Sequence, residues 1–200
     1  MTTLSVTDRV PADEPDTPVF HFDLGSPEAY LAAERILQVM PVATPWVPVL
    51  ARELDPGAAE AATDRDDVAA RAAAAGLQPL RWPEPFPFDS ELAMNAATYA
   101  RSIGRVVAFS LAAFRQAFAG GRALAGEDAV VIAGAACEMH PTALLTGCAT
   151  RGTRDALARE TALAAERGVR RVPAVWLPDG RVFEGPDCLE RAAAAHGAAA

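Results

Sequence analysis

Apolar positions gather into runs only from residue 18 onward. The first 17 residues, MTTLSVTDRVPADEPDT, are polar and rich in proline and acidic side chains, and they read as a disordered lead-in. Pro18–Leu24 (PVFHFDL) follows, aromatic and β-branched, and predicts a strand. Gly25-Ser26-Pro27 breaks it. From Glu28 to Met40, the positions Tyr30, Leu31, Glu34 and Leu37 fall at helical spacing, and Pro41 is the stop. Ser26 suits the N-cap of this helix and Pro27 its first position, where the missing N–H costs nothing. Val42–Leu50 predicts a second strand. Pro45 and Pro48 each remove a ladder donor, which suits an edge or irregular strand.

The middle of the chain changes period. Helices are predicted over Asp66–Ala75, closed by Gly76, and from a cap at Asp89-Ser90 to about Ile103. Further helices follow at about Val106–Ala119, Glu127–Met139, Pro141–Ala149 and Arg154–Arg167, with His140 ending the one before it. Between the first two lies Arg81-Trp-Pro-Glu-Pro-Phe-Pro-Phe88, a stiff aromatic loop that proline keeps from being helical. The end returns to strands: Val172–Leu177, a Pro178-Asp179-Gly180 turn, then Arg181–Glu184 as its hairpin partner. Gly185-Pro186 breaks the hairpin, and Asp187–His196 predicts the last helix. The order is β-α-β, a helical block over about residues 58–168, then β-β-α, within one α/β domain spanning 18–200.

Composition narrows the chemistry. A net charge of −8 argues against nucleic acid and anionic membrane surfaces as partners. The chain has no lysine, which removes Schiff-base and P-loop lysine chemistry. No stretch has the apolar length of a membrane span, and the N-terminus lacks the basic start and apolar run of a secretory signal. A cytoplasmic location is the expectation. Cys137, Cys148 and Cys188 form no Cys-x-x-Cys pair, so dithiol–disulfide exchange is not expected, and no metal-ligand spacing occurs.

Residues 18–31 (PVFHFDLGSPEAYL) and 168–190 (GVRRVPAVWLPDGRVFEGPDCLE) carry a family pattern. The first resembles the strand–Ser-Pro–helix opening of 2-hydroxychromene-2-carboxylate isomerases and kappa-class glutathione transferases. The second resembles their Gly-Val-x-x-Val-Pro strand and the helix start that follows it. Trp46-Val-Pro48 and Phe86-Pro-Phe-Asp-Ser90 also match. The element order is similar to the thioredoxin-like fold of the DsbA-like superfamily that contains both. The chain also departs from these enzymes. Leu50–Gly57 carries neither the asparagine nor the lysine that helps them bind glutathione after the second strand. Arg171 replaces their glycine before Val-Pro, and Cys188 replaces an arginine.

The resemblance implies a site. Ser26 would donate its hydroxyl to the thiolate of glutathione or another low-molecular-weight thiol at a helix N-terminus, where the dipole and free N–H groups favour negative charge. Ser26 also serves as an ordinary N-cap, worth about 1 kcal/mol. Val172-Pro173 resembles the cis-proline that faces the site in thioredoxin folds and would present the Val172 backbone to a peptide-like ligand. Asp187 would hold the γ-glutamyl end, or cap the last helix, or both. Trp82, Phe86 and Phe88 are candidates for the wall of a small aromatic substrate's pocket, or for simple core packing. Cys188, just inside a helix start, is a candidate low-pKa thiol or a core filler, and His21 reads as a core or sheet-face histidine. Two functions follow. One is a thiol-cofactor-dependent isomerase or transferase of small aromatic or conjugated compounds, with no metal. The other is a non-catalytic thioredoxin-like binding or chaperone-type domain. Homodimerisation stays open.

Overall fold

The computed structural model describes residues 16–55 and 63–198. Residues 1–15, most of the expected lead-in, lie outside them. Four short strands form one sheet in the order β2-β1-β3-β4. Strand β1 (Val19–Phe22) pairs in parallel with β2 (Trp46–Pro48) and antiparallel with β3 (Ala174–Trp176), and β3 pairs antiparallel with β4 (Val182–Glu184). The proline-bearing β2 is an edge strand, as its missing donors require. All four residues of β1 are buried, so both sheet faces are covered.

Alternation along β1 divides the core. Phe20 and Phe22 face one side, where their rings stack at 5.8 Å and meet Trp46 edge-on at 5.2 and 5.7 Å. Such aromatic pairs add about 0.5–1.5 kcal/mol each beyond their buried area. Helix α1 (Pro27–Val39) packs on this side, with α3 (Arg65–Ala74), α4 (Glu91–Ser102), α5 (Val106–Phe114), α6 (Glu127–Ala135), α7 (Pro141–Cys148) and α9 (Cys188–Gly197). Val19 and Val47 face the other side, against α8 (Arg151–Glu166) and the single-turn α2 (Ala51–Leu54). There Thr161 Oγ1 accepts the Leu50 N–H at 3.0 Å, and the Arg167 guanidinium lies 4.3 Å from the Trp176 ring.

The helical block, α3 to α8, falls between β2 and β3 as the pattern predicts. Several boundaries differ for local reasons. Helix α6 stops at Ala135 rather than Met139, because the chain reverses through Glu138 at φ 61°. His140 therefore begins a helix instead of ending one: it is the N-cap of α7, with Pro141 at N1. Helix α8 starts at Arg151, three residues ahead of Arg154, because the Thr150 side chain accepts from Thr153 N at 3.1 Å. Helix α5 runs into a π-helical turn, Arg115–Ala119. Close approach requires glycine at position 147, where a Cβ would come within 2.4 Å of the Tyr99 ring on α4.

Candidate functional site

Strand directions decide where the loops meet. Since β2 runs with β1, β3 against β1 and β4 against β3, one end of the sheet collects four connections. They are the turn Asp23–Ser26 after β1, Val49–Ala51 after β2, Val172-Pro173 before β3, and Gly185–Asp187 after β4. Two backbone bonds tie them, Val49 N–H to Phe22 O at 3.0 Å and Gly185 N–H to Pro173 O at 2.9 Å. The topology thus brings Ser26, Val172, Pro173 and Asp187 to one edge. The Val172–Pro173 peptide is cis.

Ser26 is half-buried and sits at the N-cap of α1 with φ −94° and ψ 116°. Its Oγ accepts from Ala29 N at 3.1 Å, so the capping role is present, and the hydroxyl donates to no group among the described residues. Pro27 has no N–H and Ala29 is taken, which leaves the Glu28 N–H as the open first-turn donor beside it. Asp187 behaves differently from an ordinary cap. At φ −106° and ψ 14° it lies outside the extended region that capping uses, and its side chain makes no cap bond. Its carboxylate instead faces Arg191 one turn on, at 3.4 Å, and is largely exposed.

The aromatic loop connects to this edge through α1. Trp82, Phe86 and Phe88 are each half-buried around Phe118, with ring centroids at 6.4, 6.3 and 6.5 Å. Phe118 stacks at 5.8 Å on Tyr30, which stands one turn along α1 from Ser26. The Arg65 guanidinium covers the outer side, 4.8 Å from Trp82 and 5.5 Å from Phe86. The loop then enters α4 at Ser90, whose Cβ lies 3.4 Å from where a Cβ on Gly25 would stand.

Asp23 is the residue that sequence reasoning missed. It is 5 % exposed, and its carboxylate accepts from Gly25 N at 2.8 Å and Ala51 N at 2.9 Å. Burial pushes its pKa up despite those two bonds and despite Ser90 and the Arg52 charge, which act the other way. One carboxyl thereby fastens the Ser26 turn to the start of α2. Arg52 of α2 reaches the same region but is engaged by Asp89 at 3.2 Å and by Glu91.

The remaining candidates are structural. All three cysteines are buried. Burial, reinforced by Asp187, pushes the Cys188 thiol up to about 12, which rules out the low-pKa thiol and leaves a core filler. His21 is buried on the α8 side of β1. Among the described residues, no three His, Cys, Asp or Glu side chains gather into a metal site.

The β-α-β, helical block, β-β-α arrangement around this edge defines a thioredoxin-like fold. Residues 19–196 match the family of DSBA-like thioredoxin domains, and the chain belongs to that family. Among solved structures it is similar to a 2-hydroxychromene-2-carboxylate isomerase, with a TM-score of 0.80, 19% identity and coverage of 91% of this chain and 95% of that one. It is also similar to a probable DsbA oxidoreductase from Streptomyces coelicolor, with a TM-score of 0.68, 20% identity and coverage of 90% and 89%. A third is the cytosolic disulfide reductase DsbM from Pseudomonas aeruginosa, solved with GSH, with a TM-score of 0.65, 15% identity and coverage of 91% and 99%. A comparison with curated proteins finds no match.

Proposed function

We propose that this protein is a thiol-cofactor-dependent isomerase or transferase acting on small aromatic or conjugated compounds, in the manner of 2-hydroxychromene-2-carboxylate isomerases and kappa-class glutathione transferases. The observation that carries the proposal is Ser26. A half-buried hydroxyl that donates to no described residue stands at the N-terminus of α1, beside the Glu28 N–H, at the end of the sheet where Val172-Pro173 and Asp187 also lie. A neutral hydroxyl and an aligned helix terminus stabilise an incoming thiolate without being consumed by it. Glutathione or a similar low-molecular-weight thiol fits these groups: the Ser26 hydroxyl donating to its sulfur, the Val172 backbone for its peptide and the exposed Asp187 carboxylate accepting from its ammonium. When bound, such a thiol supplies a nucleophilic sulfur. The chain's own part is to hold that sulfur ionised at Ser26 and to offer aromatic surface from Trp82, Phe86 and Phe88 to the substrate. Likeness to the isomerase structure and to the GSH-containing reductase supports this proposal.

The absence of a Cys-x-x-Cys pair and the burial of all three cysteines favour thiol-cofactor chemistry over disulfide exchange. No helix among the described residues is long and apolar enough to cross a membrane. A cytoplasmic location, where small thiols are kept reduced, completes the proposal. One observation favours the second function, a non-catalytic thioredoxin-like binding domain: the basic group after β2, Arg52, is already held by Asp89 and Glu91.

The test is steady-state kinetics with glutathione and a panel of conjugated aromatic substrates. Ser26→Ala should lower kcat by at least tenfold with a smaller change in thiol affinity, and Asp187→Ala should raise the KM for the thiol. Unchanged kinetics in both variants would end the enzymatic proposal for this site.

A further inference from the structure

The Asp23 carboxyl is unusual in what surrounds it. It is almost fully buried, takes part in none of the ion pairs among the described residues, and accepts only from neutral donors, Gly25 N–H and Ala51 N–H. The charged groups around it are engaged elsewhere. On α2, Arg52 is bonded to Asp89 and Glu91 of the α4 entry, with Glu53 also beside it at 4.0 Å. On α1, Glu28 pairs with Arg71 at 3.0 Å. Arg52 acts on it only through space, and the N-terminus of α1, the feature that would also stabilise a thiolate at Ser26, begins four residues on at Pro27. The turn is tight: Ser26 N–H bonds the Asp23 backbone carbonyl at 3.0 Å, and Gly25 N–H bonds the Asp23 side chain at 2.8 Å.

Resting on the thiolate role of Ser26 proposed above, we infer that the Asp23 carboxylate and a sulfur anion at Ser26 compete for the same turn, so that the site carries one negative charge at a time and thiol binding is coupled to proton uptake by Asp23. The balance is simple. A thiol docking as its anion gives up its S–H proton, Asp23 takes one proton on a carboxylate oxygen, and the net charge of the turn stays at −1. Two anions in one turn, one of them almost fully buried, disfavour each other, because solvent and salt screen a buried charge poorly. Burial already biases Asp23 towards its neutral form, in agreement with this exchange. Asp23 is thus a tuning residue: it weakens the attraction of α1 for anions until a proton arrives, and makes thiolate capture dependent on pH.

A sulfur installed in place of the serine oxygen reads this directly. In Ser26→Cys the introduced thiol is the half-buried one, while Cys137, Cys148 and Cys188 are buried. Its pKa is followed by thiolate absorbance and by alkylation rate against pH, with and without Asp23→Asn. The coupling predicts that Asp23→Asn lowers the pKa of the introduced thiol by about one unit or more, a tenfold or greater gain in thiolate at fixed pH. An unchanged or raised pKa would overturn the inference. If Asp23→Asn does not fold, Ser90→Ala replaces it. Loss of the nearby hydroxyl, which holds the Asp23 pKa down, favours protonated Asp23, so the introduced thiol should again titrate lower, and no change overturns the inference equally. The two proposals fail separately. A thiol that titrates well below an ordinary cysteine but does not respond to position 23 removes the coupling and leaves the thiolate site. One that stays at or above about 8.5 in both backgrounds removes the thiolate site as well.

Discussion

Acid should unfold this protein through His21, and the size of the effect follows from its surroundings. His21 is 2 % exposed, and among the described residues neither ring nitrogen has a hydrogen-bond partner. Burial, together with the charges of Arg167 and Arg101, lowers its pKa from 6.5 to about 3. In the unfolded chain the imidazole protonates as pH falls through 6.5, whereas in the folded chain it stays neutral until about 3. The unfolded state therefore binds the extra proton first. Stability from this group is complete above pH 6.5 and is lost progressively down to about 3. At 1.36 kcal/mol per unit the ceiling is about 5 kcal/mol, comparable to the whole stability of a small domain. Replacing the ring in His21→Leu removes the titration while keeping an apolar filler between Val47 and Ala174, its cross-strand neighbours. Urea unfolding of both proteins at pH 7 and pH 4 is the assay. Other groups, including Asp23 with its opposite slope, are common to both and cancel in the difference. The wild type should lose about 3 kcal/mol more than His21→Leu between those two values. Parallel losses would refute the claim that this imidazole is held neutral by its burial.

Three further outcomes are expected. Ser26→Ala should lower stability by about 1 kcal/mol through the lost Ala29 cap bond, measured by urea unfolding, in addition to its effect on turnover. Gly147→Ala should cost about 1–3 kcal/mol and shift the near-ultraviolet signal of the tyrosines, because the new methyl would meet the Tyr99 ring at 2.4 Å. The double change Ser26→Cys, Ala29→Cys places two thiols one turn apart at the start of α1 and should create insulin-reducing activity, whereas the natural protein shows none. A folded double variant with no activity would contradict the presentation of α1 described above.

What the sequence made legible was local. Ser26-Pro27 announces a helix start within three residues, and the prolines of β2 suit an edge or irregular strand. The order of strands and helices was visible because period 2 and period 3.6 alternate cleanly at both ends of the chain. What stayed hidden depends on contacts between distant segments. Asp23 looks like any strand-end aspartate until Ala51, 28 residues on, and Ser90 close around it. Helix α2 is four residues long, and the Leu50 N–H that precedes it is satisfied by Thr161, 111 residues away. Asp187 reads as a cap by residue type, but its backbone angles and Arg191 draw the carboxylate out of that role. Cys188 reads as a helix-start thiol, but its complete burial reverses the effect of the dipole.

The central claim, that a small thiol binds at the α1 N-terminus, is tested most directly by calorimetric titration and thermal shift of the purified protein with glutathione and other low-molecular-weight thiols. The expected result is saturable one-to-one binding of at least one thiol, with stability raised by about 2.7 kcal/mol at a hundred times its Kd. That binding should weaken in Asp187→Ala. A folded protein that binds none of these thiols, or binds one with equal affinity in Ser26→Ala and Asp187→Ala, would contradict it.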